Sequence, residues 1–417
     1  MKLSYTLIGS DDKMVDRPEK FSKATTPFIL TLYTTVLSSG PVGRAKNRKF
    51  STVFDKKAEK GYKMALIADE LHKLGDVESK TYKEFNMMAN RAKYRIPLTG
   101  TIIKSTPEKA LLPLRFIAPK VFSNKGVFEE AFVVKESGKF GPKTIGYKNL
   151  DRLKELIHTY GCVELKKDHL EDLPELLPPE IITVETDKDS LTVLKSIRSG
   201  ETFKAIQNHR GQIPYADLQD LYIRVHQALI CPHLFSDKFL AKNMLEATLS
   251  ILEDVEGKTI VFTTLIDAVE EISGFLSSKG VKNVACSGRY KEKVILERVE
   301  KFVTDQSCNV MVATVQLMGT GFDDLKVAQN CIIYDFNLIA GDLIQAIGRI
   351  YRNGQKNKIS VFELVQDNPF SQYQFEKVRI QQNIINQTED VKIQPNDSVD
   401  LTGLIKLALE SNLFGSK

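Results

Sequence analysis

Two carboxylates and a histidine close a short apolar run, Met64-Ala65-Leu66-Ile67-Ala68-Asp69-Glu70-Leu71-His72. Such a run reads as a strand, and in an open parallel sheet ligands sit beyond the carboxyl ends of strands. Asp69 and Glu70 would then project into a crevice. An aspartate in that place can hold Mg2+ on a nucleotide, while the adjacent glutamate orients and deprotonates an attacking water. Taken alone, the motif is equally a solvated strand-to-helix turn. Further along comes Arg95-Ile96-Pro97-Leu98-Thr99-Gly100-Thr101, a second apolar run closing on hydroxyls and a glycine. It could link a nucleotide state to a neighbouring domain, although an isolated copy would be an ordinary strand-to-turn passage.

The second half of the chain holds two more such segments. Ala313-Thr314-Val315-Gln316-Leu317-Met318-Gly319-Thr320-Gly321-Phe322 supplies a glycine-containing loop after a strand. Gln345-Ala346-Ile347-Gly348-Arg349-Ile350-Tyr351-Arg352-Asn353-Gly354-Gln355 spaces two arginines to share one helical face. Planar guanidiniums so spaced can clamp a transferring phosphoryl group. The plainer reading is a solvated basic helix end.

Positioning these groups requires strands alternating with helices. Apolar, β-branched runs predict strands at Lys63–Ala68, Lys258–Thr264, Asn309–Thr314, Asn330–Asp335 and Ile359–Leu364. Helical periodicity covers Asp267–Leu276 and Lys291–Phe302. The stretch Asn124–Lys148 is rich in lysine and glycine with weak periodicity, and marks a boundary or insertion. Leu173-Pro174-Glu175-Leu176-Leu177-Pro178-Pro179-Glu180 reads as a stiff connector, because its prolines remove donors and hold their neighbours extended. Residues 186–250 look helical, and the tail closes on a short amphipathic segment, Val399–Leu409, expected to dock on its own chain.

Composition bounds the partners. The chain has 417 residues, 42% of them hydrophobic, which is enough for two or three domains. No apolar stretch reaches membrane-spanning length and the first residues lack a signal core, so the expectation is a cytosolic protein (the host cytoplasm for a viral one), or a nuclear one in a eukaryote. The net charge of +5 permits a polyanionic partner without demanding one. Five dispersed cysteines predict reduced, mostly buried thiols, and the six histidines suggest no metal cluster. His226 and His233 read as structural.

The ordered set resembles the Swi/Snf branch of helicase superfamily two. Asp69-Glu70-Leu71-His72 is similar to that family's second motif and Leu98-Thr99-Gly100-Thr101 to its third. Ile260-Val261-Phe262-Thr263 resembles the fourth, Thr314–Leu325 the fifth, and Gln345–Gln355 the sixth with its Arg-x-x-Arg-x-Gly-Gln ending. Lys166, Lys167 and Leu173-Pro174 look like the passage joining the two motor lobes, and His226–Leu234 like the element before the second lobe. The resemblance spans about residues 27–370.

It implies an α/β fold of two RecA-like parallel-sheet lobes, the first incomplete at its N-terminus, with a helical insertion and linker between them. The expected divisions are a partial first lobe over 1–123, insertion, linker and helices over 124–240, a second lobe over 241–380 and a tail over 381–417. The implied activity is DNA-dependent ATP hydrolysis in a cleft between lobes, driving translocation on duplex DNA. Asp69 would bind Mg2+ of the ATP complex, Glu70 would act as base, and Arg349 and Arg352 would reach the phosphate. Gln345 would contact the nucleotide, with His72, Thr99, Gly319 and Gly321 coupling it to DNA. Candidate phosphate contacts on DNA are Tyr33, Thr34, Arg44, Lys46, Arg48, Thr263, Thr264 and Thr314.

Two departures stand out. Leu71 occupies a position where the family usually has alanine; its side chain is expected to point into the sheet. No stretch fits the phosphate-binding pattern G-x-x-x-x-G-K-[ST]; the glycine clusters at 40–46 and 138–144 have the wrong spacing and read as loops. The resemblance therefore implies either one piece of a motor completed by a partner polypeptide carrying that loop, or a non-hydrolysing DNA-binding or regulatory remnant. The absence of reader modules suggests a compact bacterial or bacteriophage form.

Overall fold

A computed structural model describes residues 4–43, 45–138, 141–161, 173–200, 215–318, 324–337 and 339–388. Arg44, Lys166, Lys167, Gly319, Gly321 and the segment Val399–Leu409 lie outside the described residues. The chain divides into two compact units, Met1–Phe132 with Asn149–Val163, and Val133–Lys148 with Glu164–Lys417.

The first unit is built from short strand pairs. β1 (Tyr5–Ile8) and β2 (Phe28–Thr31) run parallel, as do β5 (Ala65–Asp69) and β6 (Tyr94–Leu98), while β3 (Ser39–Val42) and β4 (Ala45–Lys49) form an antiparallel hairpin. Helix Lys80–Arg91 starts where the Ser79 hydroxyl accepts from the Tyr82 amide at 3.1 Å, and its 3–4 spacing buries Tyr82, Phe85, Met88 and Ala89. Phe21 stacks on Phe50 with ring centroids 4.5 Å apart, closing a second part of this core.

Each parallel pair buries little of one face. Register places Tyr5 beside Phe28, Leu7 beside Leu30 and Ile67 beside Ile96, and all six side chains are exposed together with Tyr94 and Leu98. Parallel sheets are ordinarily covered on both sides, because their strands carry apolar residues on both.

Both glycine clusters expected as loops are hairpins instead. Gly40-Pro41-Val42 belongs to β3 and turns at Gly43, whose φ of +58° suits glycine, before the basic run continues as β4. The second cluster falls in an antiparallel pair of the second unit, β7 (Val133–Gly138) and β8 (Gly141–Tyr147). Antiparallel strands tolerate polar, lysine-rich sequence because they need cover on only one face.

The second unit is organised by a six-stranded parallel sheet, in the order β11 (Asn283–Cys286), β12 (Val310–Thr314), β10 (Lys258–Thr263), β13 (Ala328–Ile333), β14 (Ser360–Gln366) and β9 (Glu180–Val184). The central strands are the most apolar and the best covered: Ile260, Val261, Phe262, Met311, Val312, Ala313, Cys331 and Ile332 are all 0% exposed. The predicted helices are present as Ile266–Ser278 and Glu292–Thr304. The chain passes from β12 to β13 across β10, so the strand order reverses there. The carboxyl ends of β10, β12 and β13 line that switch point, where open α/β sheets hold ligands.

Candidate functional site

In the first unit, β5 delivers the carboxylates. Asp69 is its last residue and is exposed, and Glu70 follows with φ 50° and ψ 54°. A left-handed backbone at a non-glycine residue is costly and marks a position where geometry is imposed by function or surroundings. The turn sends Leu71 inward, 0% exposed. The larger residue at this position thus fills core space and leaves the carboxylates outside, in keeping with the expected inward orientation.

Around Glu70 three polar side chains converge. Thr99, just beyond β6, donates its hydroxyl to Glu70 Oε2 at 3.3 Å, and His72 Nδ1 lies 3.3 Å from the same oxygen and 3.2 Å from Thr99 Oγ1. Thr99 Oγ1 also meets the backbone of Thr101, accepting from its amide at 3.2 Å and lying 2.9 Å from its carbonyl oxygen. The register of β5 on β6, with Asp69 beside Leu98, brings these two separate motifs together. The triangle holds one carboxylate oxygen of Glu70 on neighbours that can donate or relay a proton, and leaves Oε1 outside these contacts.

Tyr33 belongs to the same site. Its hydroxyl donates to the Asp69 carbonyl at 2.6 Å, and its ring packs edge-on against Phe85 at 5.5 Å. Burial, then the charges of Asp69 and Glu70, push the phenol above its ordinary range, so it remains a donor. Tyr33 therefore clamps the end of β5, while Thr34 beside it is exposed. On β4, Lys46 is exposed and Arg48 half-buried, two residues apart and so on one face of the strand.

In the second unit the C-terminal edge of the sheet carries a different network. Asp335, two residues past β13, is almost fully buried and accepts from Thr263 Oγ1 at 2.5 Å, the Thr264 amide at 3.0 Å and the Thr264 hydroxyl, and it pairs with His226 Nε2 at 3.0 Å. Burial pushes the Asp335 carboxyl up, but the hydrogen bond and charge of His226 and the threonine hydroxyls outweigh it and leave it below the usual range. Thr263 and Thr314 sit opposite each other in register, and both are buried. This corrects the expectation of direct DNA contact from Thr263 and Thr314, which the fold places inside the strand ends. Thr264, half-buried, is the member that reaches the surface.

The arginine segment also differs from expectation. Helix Ala340–Ile350 carries Gln345 and Arg349 but stops before Arg352, which lies in the following turn with Gly354 at φ +88°. The two arginines therefore do not share a helical face. Gln355 anchors the turn: its Nε2 donates to the carbonyls of Lys326 and Ala328 at 2.8 Å each, and its Oε1 accepts from the amides of Lys356 and Asn357 at 2.9 and 3.0 Å. Gln345 Nε2 is a buried donor with no hydrogen-bond partner among the described residues. Asp335 and Gln355 stand in the sequence only as the end of a strand and the end of a motif, with no role assigned to either side chain. The signal for Asp335 was present, an apolar strand ending in a carboxylate as at Asp69.

No helix among the described residues is long and apolar enough to cross a membrane. Comparison with known proteins bears on both units. A family model described as SNF2-related domain matches residues 5–233, and one described as helicase conserved C-terminal domain matches residues 241–354. The Arabidopsis thaliana protein CHROMATIN REMODELING 4 is 23% identical over 329 residues, covering 72% of this chain and 14% of its own length. A Caenorhabditis elegans homologue of SWI/SNF-related matrix-associated actin-dependent regulator of chromatin subfamily A-like protein 1 is 22% identical over 306 residues, covering 72% of this chain and 42% of its own. The chain thus spans less than half the length of these relatives. Both are eukaryotic, which lends nothing to the expectation of a bacterial or bacteriophage source. A solved Sulfolobus solfataricus SWI2/SNF2 ATPase core in complex with dsDNA is 19% identical, covers 93% of this chain and 78% of that one, and superposes with a TM-score of 0.42. With more than half of its residues matched by a single family model, the chain belongs to the SNF2-related family.

Proposed function

We propose that this chain is the larger part of a DNA-dependent ATPase that moves on duplex DNA. The observation that carries the reading is the triangle of Glu70, His72 and Thr99 at the end of a parallel strand, next to the exposed carboxylate of Asp69. Glu70 is the base: its carboxylate takes the proton of the attacking water, with Thr99 and His72 fixing the angle at which it is presented. Asp69 is the oxygen ligand whose chemistry fits Mg2+. That ion, when bound with ATP, neutralises charge developing on the phosphate oxygens. Gln345, with its unpartnered buried amide nitrogen, fits a hydrogen bond to the nucleotide. Arg349 and Arg352 supply guanidiniums for the transferring phosphoryl group, Arg352 from a turn rather than from a helix.

DNA contact in this reading runs through phosphates, and is weak in sequence preference. Thr34, Lys46, Arg48 and Thr264 are the accessible candidates, with Arg44 retained from the sequence pattern, while Gly319 and Gly321 keep their expected part in coupling the nucleotide to DNA. Tyr33 positions the strand end rather than the nucleic acid. The subdivision into residues 1–123, 124–240, 241–380 and 381–417 is retained as a functional division of the motor.

The phosphate-binding loop is the part not found in these 417 residues, since no stretch of them fits G-x-x-x-x-G-K-[ST]. We infer that the loop comes from polypeptide outside residues 1–417, whether continuous with this chain or separate. The exposed apolar faces of β1–β2 and β5–β6 support this, because a parallel sheet left open on one side lacks the cover such sheets need. The test is ATP turnover by the chain alone and together with an added polypeptide that carries a G-x-x-x-x-G-K-[ST] loop. Turnover only in the combination supports the reading. Turnover by the chain alone would overturn the inference about the loop, and silence in both would overturn the ATPase reading.

A further inference from the structure

Helix Tyr215–Ile230 runs into Cys231-Pro232-His233-Leu234, a tight turn, and helix Ile266–Ser278 passes it carrying Glu271. Cys231 Sγ, a ring nitrogen of His233 and a carboxylate oxygen of Glu271 all lie within 4.8 Å of one another. Cys231 is 0% exposed, and the side chains of Glu271 and His233 are 6% and 31% exposed.

What sets this cluster apart is that three ligand-type side chains turn to one another at a buried spot and to no other polar group among the described residues. His233 Nδ1 is 3.1 Å from Glu271 Oε2, and His233 and the Cys231 thiol both act on that carboxylate, lowering it against a larger upward push from burial. Among the described residues, the buried Glu271 carboxylate has no hydrogen-bond partner outside the cluster itself, and the Tyr334 hydroxyl is buried with none. Tyr334 is fully buried, and after burial itself the charges of Glu271 and Cys231 do most to raise its hydroxyl. Buried polar atoms are nearly always satisfied, and ones without a partner beyond their own cluster call for a water or an ion.

We propose that Cys231, His233 and Glu271 form a three-ligand site for a divalent transition metal of the zinc class, with a fourth position open to water on the His233 side. Sulfur, imidazole nitrogen and carboxylate oxygen are the donors zinc takes, and a thiolate argues against magnesium and calcium. Tetrahedral zinc holds such donors roughly 3.5 Å apart, so the ligands need only small adjustments from their present separation. Burial pushes both the Cys231 thiol and the Glu271 carboxyl up. A cation reverses this by favouring the deprotonated ligands. Bound there, it ties the turn after one helix to the face of another, one strand end away from the Asp335 network.

The site stands apart from the ATPase reading and is tested without turnover. The purified 417-residue chain is stripped with chelator, dialysed against Zn2+, and its metal content measured. In parallel, Co2+ is added and the thiolate-to-cobalt charge-transfer band followed. The expected result is one zinc per chain and a cobalt band in the wild type. Cys231→Ser abolishes the band, and Glu271→Gln weakens zinc binding by at least about 10–100-fold, the loss seen even for outer-shell partners. Cys331→Ser leaves both unchanged. Circular dichroism confirms that each variant is folded. Should a variant not fold, the wild-type spectrum decides: no thiolate-to-cobalt band, or a band that persists in folded Cys231→Ser, overturns the proposal.

Discussion

Replacing Asp335 should loosen the carboxyl edge of the second sheet by a predictable amount. Four donor groups reach its carboxylate, from His226, the Thr263 hydroxyl, and the amide and hydroxyl of Thr264. In Asp335→Ala, Thr264 can turn to water because it is half-exposed, whereas His226 and Thr263 remain buried. Two buried donors left unpaired at about 1–3 kcal/mol each, plus a small cavity, give about 3–5 kcal/mol. Asp335→Asn keeps the shape but loses the charge and turns an N–H toward one donor, for about 1.5–3 kcal/mol. Hydrogen exchange of peptides covering β10 and β13, read by mass spectrometry, reports this opening without requiring the whole chain to unfold in one step. The carboxyl is depressed in the folded chain relative to about 3.9 unfolded. Its contribution should therefore be fully present above about pH 4 and be lost as pH falls through the lower folded value; Asp335→Asn should remove that dependence. A loss under about 1 kcal/mol in Asp335→Ala would mean that the carboxylate does not hold these buried donors. So would additivity within about 0.5 kcal/mol between Asp335→Ala and Thr263→Val, which share one bond.

Other expectations follow from the same geometry. A Cβ on Gly40 would stand 1.7 Å from the Val15 carbonyl oxygen, so Gly40→Ala must displace backbone, and a thermal melt of the first unit should show a loss of at least about 1–3 kcal/mol. Lys258 donates its buried ammonium to the carbonyls of Phe302, Asp305 and Cys308 at 2.6, 2.9 and 3.0 Å; Lys258→Met leaves those acceptors unpaired and should cost about 3 kcal/mol in chemical denaturation. For DNA, Lys46→Ala and Arg48→Ala should each reduce the slope of log affinity against log salt by about 0.9 in fluorescence anisotropy with duplex, without changing sequence preference. An unchanged slope in both would remove β4 from the interface.

How far the sequence speaks depends on whether a feature is local. The strands β5, β10, β12, β13 and β14 were legible because apolar β-branched runs are long enough to stand out, and the helices between them because their 3–4 spacing is regular. β11 has only four residues, and β9 follows a proline-rich connector with a mostly uncovered, edge-strand pattern, so neither makes a clear run. Arg352 was placed on a helix although Gly354 two residues on is a helix-ending signal, and its positive φ shows why the turn forms there. The burial of Thr263 could not be read, since its partner Asp335 lies at the end of the neighbouring strand but 72 residues along the chain. The grouping of Cys231 and His233 with Glu271 was invisible for the same reason. By contrast, the meeting of Glu70 and His72 with Thr99 follows from the order of two adjacent strand ends.

The most direct test of the account is the rate of ATP hydrolysis, with Mg2+ and with or without duplex DNA, by this chain in combination with the loop-bearing segment, comparing wild type with Glu70→Gln. Turnover should be stimulated by duplex DNA and lowered by Glu70→Gln by about 10²–10⁴-fold, the usual contribution of a positioned base, with the variant still folded and still binding DNA. Equal rates in wild type and Glu70→Gln would contradict this, because the carboxylate held by Thr99 and His72 would then have no part in the chemistry.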